Sequence, residues 1–399
     1  MDRRPLRILY HHRIAASDGM QVHVNEIVTA LRNQGHVVRV VGPGAVDGNA
    51  QAAGEAGALE RLAETLRRLL PPAAYELAEL AYNIPAYLRL AREVKQFKPD
   101  VIYERYNLFL LAGLALHKRR KLPLILEVNS PLATERAEFG NLQLVPLARR
   151  CETALWSGAD IALPVTGVLA QQVVARRGTA NGVHVMHNGA NLAHRTDPQV
   201  GVEVRRRLGL GEDAIVLGFV GFIRAWHGVG WAIDALANLP ANVVLLVVGD
   251  GPARADLTAR AAELGLADRV RFVGRMPHEQ IPELMQSFDV ALQTAAVGYA
   301  SPLKLFEYMG LARAIVAPDQ PNIREVLTDG HDAALFTPDD EASFRLALER
   351  LCTDASLRAR LGENALKTVL EHPFTWDSNA SRIASFAHQL IEDRCGSAA

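Results

Sequence analysis

The feature that most constrains the fold is a regular alternation of strand-like and helix-like segments in two successive series. Short β-rich runs of the first series occupy residues 6–12, 36–42, 100–106, 124–130, 160–165 and 183–189. Those of the second series occupy residues 214–221, 242–251, 269–274, 289–294, 314–318 and 333–337. Helical periodicity fills most of the gaps between them. This alternation predicts an α/β fold with parallel sheets that helices cover on both faces.

The stretch 188–199 separates the two series and is polar and broken by glycine and proline. Such a composition is typical of a linker. We therefore predict two doubly wound, Rossmann-like domains, residues 1–190 and 198–375. Folds of this kind bind ligands at the carboxyl ends of their strands, so we expect a central cleft there.

Composition limits the classes of function that the chain can have. Its 399 residues are 49% apolar, which is enough for two buried cores, and the formal net charge of −1 argues against a nucleic-acid partner. The cysteines Cys151, Cys352 and Cys395 lie far apart without metal-ligand spacing. We read them as reduced thiols of a cytoplasmic protein that needs no metal. The basic and then apolar residues 1–10 are too short for a signal sequence or membrane span, and we expect a soluble chain.

The stretch "YASPLKLFEYMG" (299–310) reads as a turn that begins a helix. Pro302 suits the first turn, because its missing N–H would be unpaired there in any case. The amides of Leu303 and Lys304, with the lysine ammonium, suit an anionic group such as a diphosphate. Glu307, one turn further on, can accept two hydrogen bonds from a ribose. An ordinary surface ion pair between Lys304 and Glu307 fits the spacing equally well.

Glycine-bearing turns follow several predicted strands: Gly19 before the first helix, "VGFIRAWHG" (220–228) and "VGDGP" (248–252). Glycine lets backbone amides approach a ligand closely, and helix N-termini favour phosphate oxygens. Each turn taken alone is better explained as a structural device, since glycine-rich turns between strands and helices are common. Neither a G-x-G-x-x-G pattern nor a Walker lysine is present, which argues against dinucleotide binding and ATP hydrolysis.

Together these motifs give the chain a family resemblance. "SPLKLFEYMGLARAIVAPDQPNIREVL" (301–327) resembles the donor-site signature of the retaining glycosyltransferases of family four, which have the GT-B fold. Further motifs of that family are matched at 17–42, 185–192, 220–228, 247–252 and 270–294. The ending, 374–393, is similar to the family's last helix. The resemblance implies that residues 376–399 pack back onto the N-terminal domain.

The resemblance also implies roles for individual residues. Glu307 corresponds to a glutamate that binds the nucleotide ribose. The backbone of Ser301, Leu303 and Lys304 corresponds to the turn that holds the phosphates. Arg275 and Met276 fall in the loop whose main chain brackets the base. Two glycines match loops at the donor phosphates: Gly19 and Gly221.

Three departures from the family pattern concern the chemistry. The first glutamate of the family's pair is Tyr299 here, which changes the expected contact to the transferred sugar. The family's arginine and lysine after the first strand of the second domain fall on Phe222 and His227, and Arg224 can supply the arginine's charge. The N-domain histidine is replaced by Asn129, whose amide can hydrogen-bond sugar hydroxyls but cannot act as a general base.

The implied activity is transfer of a hexose-type sugar from a nucleoside-diphosphate sugar to an acceptor hydroxyl, with retention and without a metal. Arg224, His227 and Lys304 would stabilise the leaving phosphate. The acceptor would be a sugar, a lipid-linked molecule or another small molecule. Glu104 and Glu127 end N-domain strands and would either bind this acceptor or form structural ion pairs. A sugar-nucleotide epimerase and a non-catalytic sugar-nucleotide-binding partner protein remain alternatives.

Residues 59–96 are amphipathic, with arginines on the polar side, and then largely apolar. Such a segment can lie on an anionic membrane surface, here the inner membrane, or line a pocket for a lipid-linked acceptor. The alternative is a pair of helices that cover the N-domain sheet.

Overall fold

The computed structural model describes residues 4–14, 19–42, 65, 69–195 and 197–396. The chain divides into two compact units, Met1–His187 with Asp377–Ala399, and Asn188–Trp376. The sequence placed this division within the linker 188–199, with a last segment beginning at residue 376.

The first unit contains a parallel sheet of five strands in the order β2-β1-β3-β4-β5. Its strands are β1 (Arg7–His11), β2 (Val37–Val41), β3 (Val101–Arg105), β4 (Leu124–Val128) and β5 (Ile161–Pro164). Its helices are α1 (Gly19–Asn33), α2 (Pro72–Ala81), α3 (Asn83–Phe97), α4 (Ala112–Arg120), α5 (Leu132–Phe139), α6 (Val145–Gly158) and α7 (Gly167–Arg177). All residues of β3, β4 and β5 are buried, as expected for a sheet covered on both faces.

The second unit contains a parallel sheet of six strands in the order β11-β10-β9-β6-β7-β8. Its strands are β6 (Ile215–Val220), β7 (Val243–Val248), β8 (Val270–Gly274), β9 (Val290–Leu292), β10 (Ala314–Pro318) and β11 (Ala334–Phe336). Its helices are α8 (Gln199–Arg207), α9 (Val229–Leu236), α10 (Arg254–Glu263), α11 (Ile281–Gln286), α12 (Leu303–Gly310), α13 (Pro321–Arg324), α14 (Glu341–Thr353) and α15 (Ala355–Glu371). Both sheets have the doubly wound form that the sequence predicts.

The predicted strand at 183–189 is wrong, because the structure has only an isolated bridge between Val183 and Ala162 there. The extended chain donates from His184 to the Ala162 carbonyl and from Met186 to the Pro164 carbonyl. Pro164 has no N–H to return the hydrogen bond that a parallel ladder requires. The pairing with β5 is therefore incomplete.

The last helix, α16 (Trp376–Gly396), lies on the first unit. Its Asn379 amide donates to the His187 carbonyl over 2.8 Å. Near its end, Arg394 forms two hydrogen bonds with the Asp160 carboxylate, at 2.9 and 2.8 Å. These contacts tie the end of the described chain to the N-terminal sheet. Within the described ranges, no helix combines the length and apolar character that crossing a membrane requires.

Candidate active site

Two glycine-bearing turns pack against each other at the carboxyl ends of β6 and β7. The Gly221 amide donates to the Val248 carbonyl over 3.0 Å. Gly249 has a φ of +138°, and a Cβ there would overlap the Gly221 carbonyl oxygen. A Cβ on Gly251 would likewise overlap the Ile223 backbone. These glycines are therefore required for close packing of the backbone, whatever the turns bind.

Lys304 places its ammonium directly beside this pair of turns. The Nζ atom lies 4.0 Å from the centre of the Phe219 ring and 3.7 Å from the position that a Cβ would take on Gly221. Among the described residues it makes no ion pair or hydrogen bond, so the surface pair with Glu307 does not form. Burial lowers the pKa of Lys304 to about 7, an effect that the charge of Glu307 opposes. A buried cation that packs on an aromatic ring and makes no ion pair with a described carboxylate is suited to an anionic ligand.

Helix α12 begins without a side-chain cap, since Pro302 precedes it with φ −66° and ψ 118°. Within the described structure, no hydrogen-bond acceptor is found for the amides of Leu303 and Lys304. Unpaired amides at a helix N-terminus attract anions. The start of α12 and the Lys304 ammonium would therefore both attract a negatively charged group.

Buried amide side chains hold the loop that precedes α12. Asn188 donates to the Ser301 carbonyl over 2.6 Å and its backbone amide donates to the Ser301 hydroxyl over 3.2 Å. Asn322 donates to the carbonyls of Val297 and Ala300, at 3.1 and 2.7 Å. These bonds fix the loop before any ligand binds, which lowers the cost of ordering it on binding.

His227 is held as a neutral imidazole in this turn. Its Nδ1–H donates to the Phe222 carbonyl, while the Thr294 hydroxyl donates to the His227 carbonyl. Burial, followed by the charge of Lys304, lowers the pKa of His227 to about 4. In the unliganded protein at neutral pH, His227 therefore contributes no positive charge to the stabilisation of a leaving phosphate.

Arg224 is exposed, and its guanidinium carbon lies 5.3 Å from the centre of the Phe222 ring. Phe222 and Trp226 are each 52% exposed, and Trp226 meets the His227 ring edge to face at 4.0 Å. Arg224 makes no ion pair with any residue that the structure describes. The long Arg224 side chain therefore packs on an aromatic ring and supplies a positive charge in this turn, in place of the family's arginine.

The other donor-site residues of the second unit occupy the ends of its strands and the start of α12. Arg275 follows β8 and is exposed, while Met276 packs against the core beneath it. Glu307 and Tyr299 are partly buried, within and just before α12. The strand order of the sheet therefore collects these residues at one edge.

The first unit contains a buried polar network around Glu127 of β4. Its carboxylate accepts hydrogen bonds from Arg105, from the Tyr103 hydroxyl at 2.8 Å and from the Asn129 amide. Burial alone would raise the pKa of Glu127, but His23, Arg105, Asn129 and Tyr103 together hold it below its usual value. Glu127 is only 1% exposed, so it forms the structural pair that was the alternative to acceptor binding.

Glu104 is buried in a second pair, with the Nδ1 of His11. It lies so close to the start of α4 that a Cβ on Gly113 would overlap its carboxylate. The geometry therefore favours a structural ion pair for Glu104 over a role in acceptor binding. Gly19 is the first residue of α1, and Ser17 and Asp18 before it fall outside the described residues.

Sequence reasoning missed the residues that support the site. The Phe219 ring under Lys304 appears in the sequence only as one more apolar residue of β6. Ser301 and its partner Asn188 are 113 positions apart, so no local pattern connects them. Between residues 4 and 396, apart from the undescribed stretches, no group of three or more His, Cys, Asp or Glu side chains is arranged to hold a metal ion.

Two family models match the chain and together cover more than four fifths of it. "Glycosyltransferase Family 4" matches residues 17–194 and "Glycosyl transferases group 1" matches residues 202–368. The chain therefore belongs to the GT-B glycosyltransferases of family four and group 1. Both matched models describe glycosyltransferases.

The chain is similar to two named transferases over part of their length. It is 34% identical over 166 residues to the alpha-D-kanosaminyltransferase of Streptomyces kanamyceticus, which is 41% of this chain and 42% of the relative. It is 33% identical over 203 residues to the D-inositol 3-phosphate glycosyltransferase of Stackebrandtia nassauensis, 48% of this chain and 45% of the relative. The matched stretch spans less than half of either relative.

One similar solved structure is that of Anabaena HepE in complex with UDP. The TM-score is 0.71 at 18% identity, and the match covers 96% of this chain and 100% of that one. At this identity the likeness concerns the fold.

Proposed function

We propose that the protein transfers a hexose-type sugar from a nucleoside-diphosphate sugar to an acceptor hydroxyl, with retention of configuration. The observation that carries the proposal is the Lys304 ammonium, which has no carboxylate partner in the described structure and lies beside the uncapped start of α12. An anionic diphosphate would satisfy both features. That Anabaena HepE has been solved with UDP and with UDP-glucose supports a uridine nucleotide as the first donor to test.

In the proposed reaction, the bond between the anomeric carbon and the β-phosphate oxygen breaks and its electron pair goes to that oxygen. The acceptor oxygen attacks from the same face, and its proton passes to the departing phosphate. Lys304, Arg224 and the α12 amides would stabilise the growing charge. This proposal needs neither a carboxylate nucleophile nor a metal cofactor.

Asn129 would accept a hydrogen bond from a substrate hydroxyl. Its amide nitrogen is committed to Glu127, and its oxygen has no partner among the described residues. The name of one relative, a D-inositol 3-phosphate glycosyltransferase, supports a polyhydroxylated acceptor. The separated thiols Cys151, Cys352 and Cys395, all unpaired, are consistent with a cytoplasmic location.

The decisive experiment has two stages. A thermal-shift screen of UDP, GDP, dTDP and ADP and their sugars identifies the donor, since a ligand at 100 times its Kd stabilises the native state by about 2.7 kcal/mol. Release of nucleoside diphosphate is then measured with and without candidate acceptors, and the anomeric configuration of the product is read by NMR. Release that requires an acceptor supports the transferase, whereas a sugar nucleotide converted to its epimer without an acceptor rejects it.

A further inference from the structure

Helices α2 and α3 of the first unit form one nearly continuous helical segment. Only Tyr82 separates them, and its φ of −58° and ψ of −18° are still helical. The break occurs because Pro85 has no N–H to donate to the Ala81 carbonyl, four residues earlier. The helical spacing of side chains is therefore preserved from residue 72 to residue 97.

The inward face of this segment combines buried apolar residues, such as Leu90 and Phe97, with polar residues that bond to the rest of the domain. Glu76 is 2% exposed and accepts hydrogen bonds from the backbone amides of Gln143 and Leu144, at 2.8 and 2.7 Å. The Asn83 amide nitrogen donates to the Phe109 carbonyl over 2.6 Å, and its oxygen accepts from the backbone amide of Leu111. Polar groups thus hold the segment rigidly against the domain.

The outward face is apolar. Leu77, Ile84 and Leu88 are 52%, 69% and 61% exposed, at positions i, i+7 and i+11 of one helical stripe. Leu69, just before α2, is 75% exposed. Leu90 and Phe97 are buried on the inward face, so the segment carries large apolar side chains on both faces. A surface helix of a domain that stands alone has its apolar residues on the inward face only.

Charge on this face has a single sign. Among the described residues from 69 to 98, no Asp or Glu is exposed, whereas Arg92, Lys95 and Lys98 are. The apolar stripe therefore leads directly into cations, which is the pattern of helices that lie in the interface of an anionic bilayer.

We propose that this outward face, defined by Leu77, Ile84, Leu88, Arg92 and Lys95, docks on an anionic lipid bilayer. Leucine and isoleucine side chains enter the acyl boundary, and the two cations contact lipid phosphates. A second copy of the chain fits the face less well. An isologous pair would set cations against cations or against leucine, with no exposed carboxylate on the face to neutralise them.

The test is sedimentation of the whole chain with vesicles of phosphatidylcholine alone and of phosphatidylcholine with phosphatidylglycerol. We expect binding to the anionic vesicles and little to the neutral ones. Arg92→Gln/Lys95→Gln should weaken binding roughly fivefold per cation at low salt, the equivalent of about 1 kcal/mol each, and much less at high salt. Ile84→Gln/Leu88→Gln should weaken it about tenfold or more at both salt concentrations.

Lys367→Gln/Leu370→Gln is the matched control, because both residues are exposed on α15 of the second unit. It should bind vesicles as the parent chain does. Nucleotide-induced thermal shifts, measured on every variant, confirm that the chain is folded and keep this test separate from that of the proposed reaction. The proposal is overturned if the parent chain binds no vesicle, or if Ile84→Gln/Leu88→Gln binds undiminished. It is overturned equally if sedimentation velocity shows a dimer that this variant abolishes while vesicle binding is unchanged.

Discussion

The Asn129 amide nitrogen donates a hydrogen bond to the Glu127 carboxylate, two positions earlier in the chain. The same carboxylate oxygen accepts from Arg105, so the charge of Glu127 is compensated inside the domain. A carboxylate can only accept, so the Asn129 amide must direct its nitrogen toward Glu127 and its oxygen away from it. Glu127 therefore acts as a positioning residue, and Asn129 presents a hydrogen-bond acceptor in place of the family's histidine.

Two variants separate these roles. Asn129→Ala removes the proposed substrate contact but leaves the buried ion pair, so kcat/KM should fall about tenfold while the free energy of unfolding changes by less than about 1 kcal/mol. Glu127→Gln leaves Arg105 without its counter-charge, and the free energy of unfolding should fall by about 3–5 kcal/mol, with kcat/KM lowered as well. Urea unfolding and steady-state kinetics measure the two quantities. Full activity in Asn129→Ala would show that the amide does not contact substrate.

The sequence predicted the sheets well because parallel strands buried on both faces leave long β-branched runs. Eleven of the twelve predicted strands correspond to strands of the structure. The exception, 183–189, depended on a hydrogen bond that Pro164 cannot donate, which is a property of the neighbouring strand. A pattern read along one segment cannot show what its partner lacks.

For the site, the helix start at Lys304 was found from the sequence because Pro302, the lysine and Glu307 lie within two turns. The sequence could not distinguish a ligand site from a surface ion pair, because the difference depends on the direction of the Lys304 ammonium. The ammonium packs on the ring of Phe219, which lies far from Lys304 in the sequence. The neutrality of His227 cannot be predicted from the sequence either, since it follows from burial and from the charge of Lys304.

Glu307 is expected to bind the nucleotide ribose. Glu307→Gln keeps the shape of the side chain and removes a charged acceptor, so nucleotide affinity should fall by roughly 1.5–3 kcal/mol. Calorimetry with the nucleotide chosen by the thermal-shift screen measures this. Glu363→Gln, at an exposed position of α15, serves as the control. An unchanged affinity in Glu307→Gln would assign that carboxylate a structural role.

Arg224 is expected to act mainly on the leaving phosphate. Charge on the β-phosphate grows as the glycosidic bond breaks, so a cation there stabilises the transition state more than the bound donor. Arg224→Ala should lower kcat by about tenfold to a thousandfold and change the KM for the donor less. Arg350→Ala, an exposed position on α14, should have the activity of the parent chain. An Arg224→Ala enzyme with unaltered kcat would mean that Arg224 is a solvated turn residue.

The pH dependence of donor binding tests Lys304. Its pKa of about 7 in the free protein is lowered chiefly by burial, and a bound diphosphate would raise it. Binding must then be accompanied by proton uptake above that pH. Donor affinity should be constant below about pH 6 and should weaken by up to about tenfold per pH unit above 7, until the pKa of the complex is reached.

A nucleoside-diphosphate sugar is the appropriate ligand, because its diphosphate stays fully ionised over this range. Calorimetry in buffers of different ionisation enthalpy would measure the proton uptake directly. Lys304→Arg keeps the charge at every pH, so its binding should lose this pH dependence even if the affinity is lower. Lys304→Met should bind weakly at all pH values. A parent chain whose affinity is the same at pH 6 and pH 9 would show that the Lys304 ammonium does not contact the donor phosphates.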